Sequence, residues 1–203
     1  MLGIAFEGCA CRAAFHSGVA AALAEGGLEF ALTAGASSGS LCAAAVAAGR
    51  GGQLPTMWRA LGGRKVVSWR RLLWNRSPFD MSYIVRTTLK ENLGQFDLRQ
   101  APTEALIVAT RLRDLSRIVY SSRHEPDLLE PLMGSCFFPV LYGRPVRVRT
   151  EWLLDGGAVD NLPVEILAER GAKDIIAVVV GLIAYVVFAL YLHAKWIGVS
   201  PLG

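Results

Sequence analysis

The fold is decided by a stretch that reads LEFALTA (28–34), GASSG (35–39) and SLCAAAVAA (40–48). The first part predicts a short strand, and the last part predicts a helix of small residues. A serine between two glycines at such a junction is typical of a nucleophile elbow, a turn too tight for side chains on its neighbours. The elbow would present the hydroxyl of Ser37 at a helix N-terminus, which favours negative charge. A glycine-rich turn that merely contains serines is the alternative interpretation.

A second motif supplies a carboxylate. Asp155, Gly156 and Gly157 follow the apolar residues Trp152–Leu154, so an acid ends a strand and two glycines permit a tight turn. An Asp-Gly turn that closes a hairpin is the alternative interpretation. Because a nucleophilic serine needs a base, the sequence favours a dyad in which Asp155 accepts the proton of Ser37 directly.

Three histidines are the other candidate bases. His16 lies in an alanine-rich helical stretch and is predicted to pack there, and His124 lies in a polar stretch that predicts a surface loop. The serine, acid, histidine order of α/β-hydrolases would require His193, which closes a long apolar run. A triad of Ser37, Asp155 and His193 is therefore the alternative to the dyad.

The N-terminus predicts an anion-binding loop between the strand Leu2–Phe6 and a helix. Small residues between a strand and a helix leave backbone N–H groups free to point at an anion. The loop has neither the Gly-Lys-Ser/Thr ending of a P-loop nor the Gly-x-Gly-x-x-Gly pattern. Its candidate anion-binding residues are Gly8, Cys9, Ala10, Cys11 and Arg12.

With these motifs in this order, the chain resembles the patatin-like phospholipase family over about residues 2–180. The residues that carry the resemblance are the loop through Arg12, His16, Gly18-Val19, GASSG around Ser37, GSCFFPV (134–140), DGG at Asp155, Asn161 and Pro163. The resemblance implies a three-layer α/β/α fold with a mostly parallel central sheet. It also implies a serine lipid acyl hydrolase, acting on phospholipids or simple carboxylic esters, with Ser37 as nucleophile and Asp155 as its partner.

Further site features follow from the same resemblance. The resemblance implies that the residues around Gly8 form an oxyanion hole, and it implies no metal or organic cofactor. The motif glycines are Gly35, Gly39, Gly156 and Gly157.

The loop departs from the family pattern, because Cys9, Ala10 and Cys11 stand where the family prefers glycine or another small residue. Cysteine and alanine tolerate a positive φ less well than glycine does. A catalytically impaired patatin-like domain that binds lipids or membranes is therefore the alternative function.

At 203 residues the chain is expected to form one α/β domain over 1–180, followed by an apolar tail over 181–203. The four cysteines show no metal-ligand spacing, so we expect buried, reduced thiols. The N-terminus enters a strand directly and carries neither a signal-peptide core nor a myristoylation glycine. A cytoplasmic, peripheral membrane location is the expectation.

Charge is uneven along the chain, since residues 30–79 contain no acid. The segment 58–76 interleaves tryptophans with arginines and a lysine, which suits the surface of an anionic membrane. A solvated helix with its tryptophans in the core is the alternative, and no nucleic-acid recognition motif accompanies the charge. An oligomeric state does not follow from the sequence.

The run from Ile175 to Leu192 has no charged residue and just reaches the length of a transmembrane helix. Its first part, Ile175–Val180, is also where this fold needs a core strand. The turn-like residues 171–174 before it favour the strand plus an apolar tail over a single-pass membrane segment across 175–192.

Overall fold

The computed structural model describes residues 1–61, 85, 97–138 and 145–181. The strands are β1 (Leu2–Phe6), β2 (Leu32–Ala36), β3 (Glu104–Arg111), β4 (Arg117–Ser121), β5 (Val146–Val148), β6 (Glu151–Leu154) and β7 (Asp174–Val178). The α-helices are α1 (Ala13–Glu25), α2 (Ser38–Ala47), α3 (Leu54–Leu61), α4 (Leu129–Ser135) and α5 (Val164–Glu169). Short 3-10 helices cover Ala10–Arg12, Gly51–Gln53 and Gly156–Ala158.

The strands of the described residues form one sheet, in which β7, β1, β2 and β3 are parallel neighbours. Phe6 at the end of β1 pairs with Gly35 of β2, and Ala36 at the end of β2 pairs with Val108 of β3. The carboxyl ends of these strands therefore lie at one edge of the sheet. In open α/β sheets, ligands bind at this edge.

Strand β3 runs past the end of β2, and this extension brings a second chain segment to the same edge. Thr110 of β3 pairs with Arg117 of β4 on one side and with Leu154 of β6 on the other. Strand β6 therefore occupies the side of β3 that β2 leaves free, and it runs antiparallel to β3. Because β2 and β6 end facing each other, the residues that follow them, Ser37 and Asp155, are brought together.

Helices cover both faces of the sheet. Buried residues of α1, α2 and α3 pack with Ile4 and Phe6 on one face, and α4 packs against Ile107 there too. On the other face, α5 packs against Ala5. Nearly all of α2 is buried, and its alanines, serines and cysteine let its backbone approach the sheet closely. The predicted three-layer α/β/α architecture is confirmed.

Two details of the predicted fold differ from the structure. The sheet is mixed, because β4 and β6 pair antiparallel with β3 beside the parallel strands. The strand predicted from Leu28 begins only at Leu32. The reason is the turn that ends α1. Gly27 adopts φ +72° and the N–H of Leu28 bonds to the carbonyl of Leu23, so the first residue of the predicted strand belongs to this turn instead.

The C-terminal apolar run does not form one helix, because Asp174–Val178 is a strand that pairs in parallel with β1. The single-pass interpretation of 175–192 is wrong in this part, and residues 182–192 lie outside the described residues. Within 1–61, 97–138 and 145–181, no helix combines the length and the apolar character that crossing a membrane requires. Of the predicted membrane-surface segment, only 58–61 are described, and Trp58 packs half-buried against the core.

Candidate active site

The elbow is a strained turn between β2 and α2. Ser37 has φ +51° and ψ −130°, a conformation that a side-chain-bearing residue rarely adopts and that enzymes use at functional sites. A Cβ on Gly35 would collide with the backbone of Gly39, and a Cβ on Gly39 would collide with the carbonyls of Phe6 and Glu7. Both glycines are therefore required by close backbone approach. The turn holds the Ser37 side chain above the sheet.

The two predicted partners are in direct contact. Ser37 Oγ donates a hydrogen bond of 2.7 Å to Asp155 Oδ2, and the N–H of Gly157 donates one of 2.8 Å to Asp155 Oδ1. Thr110 Oγ1 donates to the carbonyl of Asp155 at 2.7 Å, which fixes the backbone of the acid. A Cβ on Gly156 would collide with the carbonyl of Val108, so the turn after the acid also needs glycine.

Burial sets the protonation behaviour of the acid. Desolvation raises the pKa of Asp155, and the hydrogen bonds from Ser37 and Gly157 lower it in part. A carboxylate with a raised pKa is a stronger base than an exposed one. It can accept the proton of an attacking hydroxyl more readily near neutral pH.

The N-terminal loop lies beside the elbow and is tied to it. The N–H of Gly8 bonds to the carbonyl of Asn161 at 2.9 Å, and the N–H of Cys9 bonds to Ser38 Oγ at 3.2 Å. Within the described part of the chain, the N–H groups of Ala10 and Cys11 have no hydrogen-bond acceptor. Of the four predicted backbone donors, these two are therefore the ones available to an anion.

Arg12 does not reach into the dyad. Its Nε donates to the carbonyl of Cys9 at 3.3 Å, and its backbone N–H bonds to the same carbonyl at 3.2 Å. The arginine thus braces the turn of the loop while its side chain remains exposed and lines the cavity.

A sequence model described as "Patatin-like phospholipase" matches residues 4–168. The chain belongs to the patatin-like phospholipase family. Members of this family are generally esterases or phospholipases.

Among solved structures, the crystal structure of VipD from Legionella pneumophila is similar, with a TM-score of 0.50 and 14% identity. The match covers 80% of this chain and 46% of that chain, so the chain spans less than half the length of VipD. The likeness shows the fold.

One residue of this patatin-like site went unassigned by sequence reasoning. Ser135 Oγ, at the end of α4, accepts the N–H of Ser37 at 2.9 Å and donates to the carbonyl of Val108 at 2.6 Å. Two residues later, the carbonyl of Phe137 accepts the N–H of Asp155 at 2.7 Å. The segment 134–140 belongs to the resemblance to the family, but only the fold reveals that its Ser135 and Phe137 hold the backbone of both dyad residues.

Glu7 joins the loop to the end of β7. Its carboxylate accepts the N–H groups of Val180 at 2.6 Å and Gly181 at 2.7 Å, and Asn161 Nδ2 lies 3.4 Å from it. The loop is therefore held at both ends, by Glu7 on one side and by Ser38 on the other.

A cavity of about 350 Å³ opens at the dyad. Its lining includes the loop residues from Gly8 to Ala10, the dyad, and the half-exposed Phe138. Small-molecule sites typically have volumes of roughly 300–1,000 Å³. The cavity is thus large enough for an ester group and the beginning of its acyl chain.

The histidines do not enter the dyad. His16 is fully buried, its pKa is lowered to about 4 by desolvation, and both ring nitrogens lie 3.8 Å from Cys9 Sγ. His124 is exposed in a turn, as predicted. The direct hydrogen bond from Ser37 leaves no place for an imidazole between it and the acid, and His193 lies outside the described residues.

The cysteines are free thiols, and three of them, Cys9, Cys42 and Cys136, are buried. Cys11 is exposed, contrary to the expectation of burial. Desolvation raises the pKa of Cys9 to about 11, so its thiol stays protonated beside the neutral His16. Within the described ranges, no three His, Cys, Asp or Glu side chains are grouped closely enough to hold a metal ion.

Proposed function

We propose that the protein is a serine lipid acyl hydrolase that uses a Ser37–Asp155 dyad to cleave carboxylic esters of lipids. The observation that carries the proposal is the 2.7 Å hydrogen bond from Ser37 Oγ to a buried carboxylate at the opening of a cavity. The available N–H groups of Ala10, which lines the cavity, and of Cys11, the next residue of the loop, support the same chemistry. Membership of a family of esterases and phospholipases supports it too.

In the first half of the reaction, Ser37 Oγ attacks the ester carbonyl carbon while its proton passes to Asp155. The carbonyl oxygen becomes an oxyanion, which the N–H groups of Ala10 and Cys11 stabilise by hydrogen bonding. When the oxyanion collapses, the bond to the alcohol oxygen breaks, and Asp155 returns the proton to the leaving alcohol. The acyl group remains on Ser37.

In the second half, a water molecule attacks the acyl-enzyme and gives its proton to the Asp155 carboxylate. The same two N–H groups stabilise the second oxyanion. Collapse releases the fatty acid, and the proton on Asp155 returns to Ser37 Oγ. Each proton leaves and returns through one carboxylate, so no step requires a histidine.

The experiment that tests the proposal measures fatty acid release from phosphatidylcholine micelles and from a short-chain ester. Ser37→Ala and Asp155→Asn should each reduce turnover by at least about a thousandfold, because each removes a group that acts in every cycle. Ser17→Ala is the matched control, since Ser17 is a buried serine whose hydroxyl donates to the carbonyl of Ala14 within α1. Turnover in Ser37→Ala comparable with that of Ser17→Ala would refute the assignment.

The second candidate function is a catalytically impaired patatin-like domain that binds lipid or membrane. The observation that favours it is the positive φ of Ala10, +52°, in a loop where the family prefers glycine. If the strained loop impairs catalysis, Ala10→Gly should raise the rate of ester hydrolysis many-fold. If the native loop already functions, the change should leave turnover within about threefold of wild type, a difference of about 0.6 kcal/mol in activation free energy.

Membrane binding through the basic, tryptophan-rich segment 58–76 stays a prediction. Residues 62–76 lie outside the described residues, and the described part ends with α3. Removing the positive charges of this segment should weaken binding to anionic vesicles if the prediction is right.

A further inference from the structure

Glu7 is the first residue after β1, and both its main chain and its side chain contact the end of β7. Its N–H donates to the carbonyl of Val178 at 3.1 Å, which extends the contact between β1 and β7 by one residue. Its Oε2 accepts the N–H groups of Val180 at 2.6 Å and of Gly181 at 2.7 Å. The start of the N-terminal loop is therefore attached to the chain that leaves β7.

The chain leaves room for the carboxylate at these N–H groups. A Cβ on Gly181 would collide with Glu7 Oε1, so the side chain of Glu7 occupies the space that a side chain at position 181 would need. Hydrogen bonds to an ionised acceptor are shorter than those between neutral groups and roughly twice as strong. The two bonds to Glu7 Oε2 are short in this sense, and they make the attachment strong.

Asn161 joins the same carboxylate to the turn that follows the acid. Its Nδ2 lies 3.4 Å from Glu7 Oε1, and its carbonyl accepts the N–H of Gly8 at 2.9 Å. A Cβ on Gly8 or on Gly157 would collide with Asn161 Oδ1, so this amide fills the space between the loop and the turn after Asp155. Glu7 and Asn161 therefore fix the start of the loop relative to the dyad.

Three successive N–H groups of the loop bond to three different parts of the fold. Those of Glu7, Gly8 and Cys9 bond to β7, to the turn after the acid and to α2, respectively. The next two, of Ala10 and Cys11, are the ones that the described part of the chain leaves available to an anion. Because only a few residues separate Glu7 from these two groups, a shift of Glu7 also shifts them.

We propose that Glu7 is a positioning residue, whose carboxylate holds the N–H groups of Ala10 and Cys11 where the oxyanion forms. The inference rests on the proposed function, because that function assigns the two N–H groups their catalytic use. Glu7 acts through the backbone that it anchors and not by touching the ester. A misplacement of about 1 Å in an active site can cost about a hundredfold in rate, so the anchor affects turnover.

Glu7→Gln is the main test, since it keeps the size of the side chain and removes its charge and one acceptor oxygen. With p-nitrophenyl butyrate as substrate, kcat should fall about tenfold, because the oxyanion donors are displaced but not removed. KM should stay within about twofold of wild type, because the oxyanion develops only in the transition state. A side chain with a purely structural role would not separate kcat from KM in this way.

Glu104→Gln is the matched control. Glu104 Oε1 accepts hydrogen bonds from Ser121 Oγ at 2.6 Å and from Arg170 Nη1 at 2.7 Å, so this carboxylate is bonded as closely as that of Glu7. It lies at the start of β3, at the edge of the sheet opposite to the dyad. Its substitution should lower the unfolding temperature and leave kcat unchanged.

Gly181→Ala tests the same anchor without changing Glu7. The added Cβ should displace the carboxylate, so kcat should fall as it does in Glu7→Gln. Gly52→Ala is the control for this variant, because a Cβ there meets no atom of the described residues within 4 Å. A kcat of Gly181→Ala equal to that of Gly52→Ala would contradict the anchor.

Hydrogen exchange separates this proposal from the proposed function, because it needs no catalysis. Measured by NMR, the N–H groups of Gly8 and Cys9 should exchange about tenfold faster in Glu7→Gln than in wild type or in Glu104→Gln. If wild type hydrolyses no ester, the proposed function fails and the exchange rates alone decide. Faster exchange then still supports Glu7 as the anchor of the loop, and unchanged exchange overturns the proposal.

With an active wild type, both measurements bear on the proposal. A lower kcat at constant KM, together with faster exchange of the loop, supports it. Equal kcat in Glu7→Gln and Glu104→Gln, or a loss of activity that lies in KM alone, overturns it.

Discussion

The loop beside the elbow allows a sharp prediction, because two adjacent residues that depart from glycine have opposite backbone conformations. Ala10 has φ +52°, in the left-handed region, whereas Cys9 has a negative φ of −148°, outside the region that favours glycine. Glycine should therefore relieve strain at Ala10 and relieve none at Cys9. The perturbation is the pair of single variants Ala10→Gly and Cys9→Gly.

The magnitudes follow from burial and strain. An alanine in the left-handed conformation costs about 1–2 kcal/mol, which glycine avoids. Glycine also has a larger conformational entropy in the unfolded chain, and this offsets part of the gain. Ala10→Gly should therefore stabilise the fold by about 1 kcal/mol. Ala10 is exposed, so no packing is lost. Cys9 is buried in the core, and its replacement loses a buried side chain as well as entropy, a destabilisation of about 2 kcal/mol.

Thermal unfolding by calorimetry measures both changes. For a chain of this size, 1 kcal/mol corresponds to roughly 2–4 °C, so Ala10→Gly should unfold that much higher and Cys9→Gly clearly lower than wild type. A lower unfolding temperature for Ala10→Gly, or a higher one for Cys9→Gly, would show that the loop does not have this backbone conformation.

Three further predictions concern the dyad and its surroundings. Ser135→Ala removes the acceptor of the Ser37 N–H, so kcat for a short-chain ester should fall about tenfold with KM unchanged; an equal rise in KM would indicate a role in substrate binding. The pKa of His16, lowered to about 4 from 6.5, means that the neutral buried ring contributes stability above pH 6.5 that is lost as the pH falls towards 4. Chemical denaturation should show a loss of about 2 kcal/mol over this pH range, and His16→Gln should flatten this slope. The raised pKa of Asp155 predicts the opposite sign: its ionised form destabilises the fold, so Asp155→Asn should unfold at a higher temperature than wild type at neutral pH, with a smaller difference in acid, and an unchanged temperature would contradict the burial argument.

The parts of the site that local chemistry dictates were predictable from the sequence. Gly39 lies so close to the carbonyls of Phe6 and Glu7 that a side chain there would collide with them, and Gly156 lies equally close to the carbonyl of Val108. Both motifs therefore carry glycine where the turn is crowded. Such requirements leave a pattern of neighbouring residues. The family resemblance built on that pattern is confirmed by the match over residues 4–168.

The parts that depend on distant contacts were not predictable. The hydrogen bond from the Ser37 N–H to Ser135 joins residues 98 positions apart, and no periodicity marks it. Likewise, the sequence could not say which loop N–H groups stay free, because Asn161 and Ser38 take those of Gly8 and Cys9 only once the chain has folded. The antiparallel placement of β6, which brings Asp155 to Ser37, is a property of the whole sheet.

The central claim is that Asp155 activates Ser37 as a nucleophile, and covalent labelling by a fluorophosphonate probe tests it most directly. Wild type and Ser17→Ala should be labelled, Ser37→Ala should not be labelled, and Asp155→Asn should react at least about a hundredfold more slowly. Labelling of Ser37→Ala at the wild-type rate, or no labelling of folded wild type, would contradict the account.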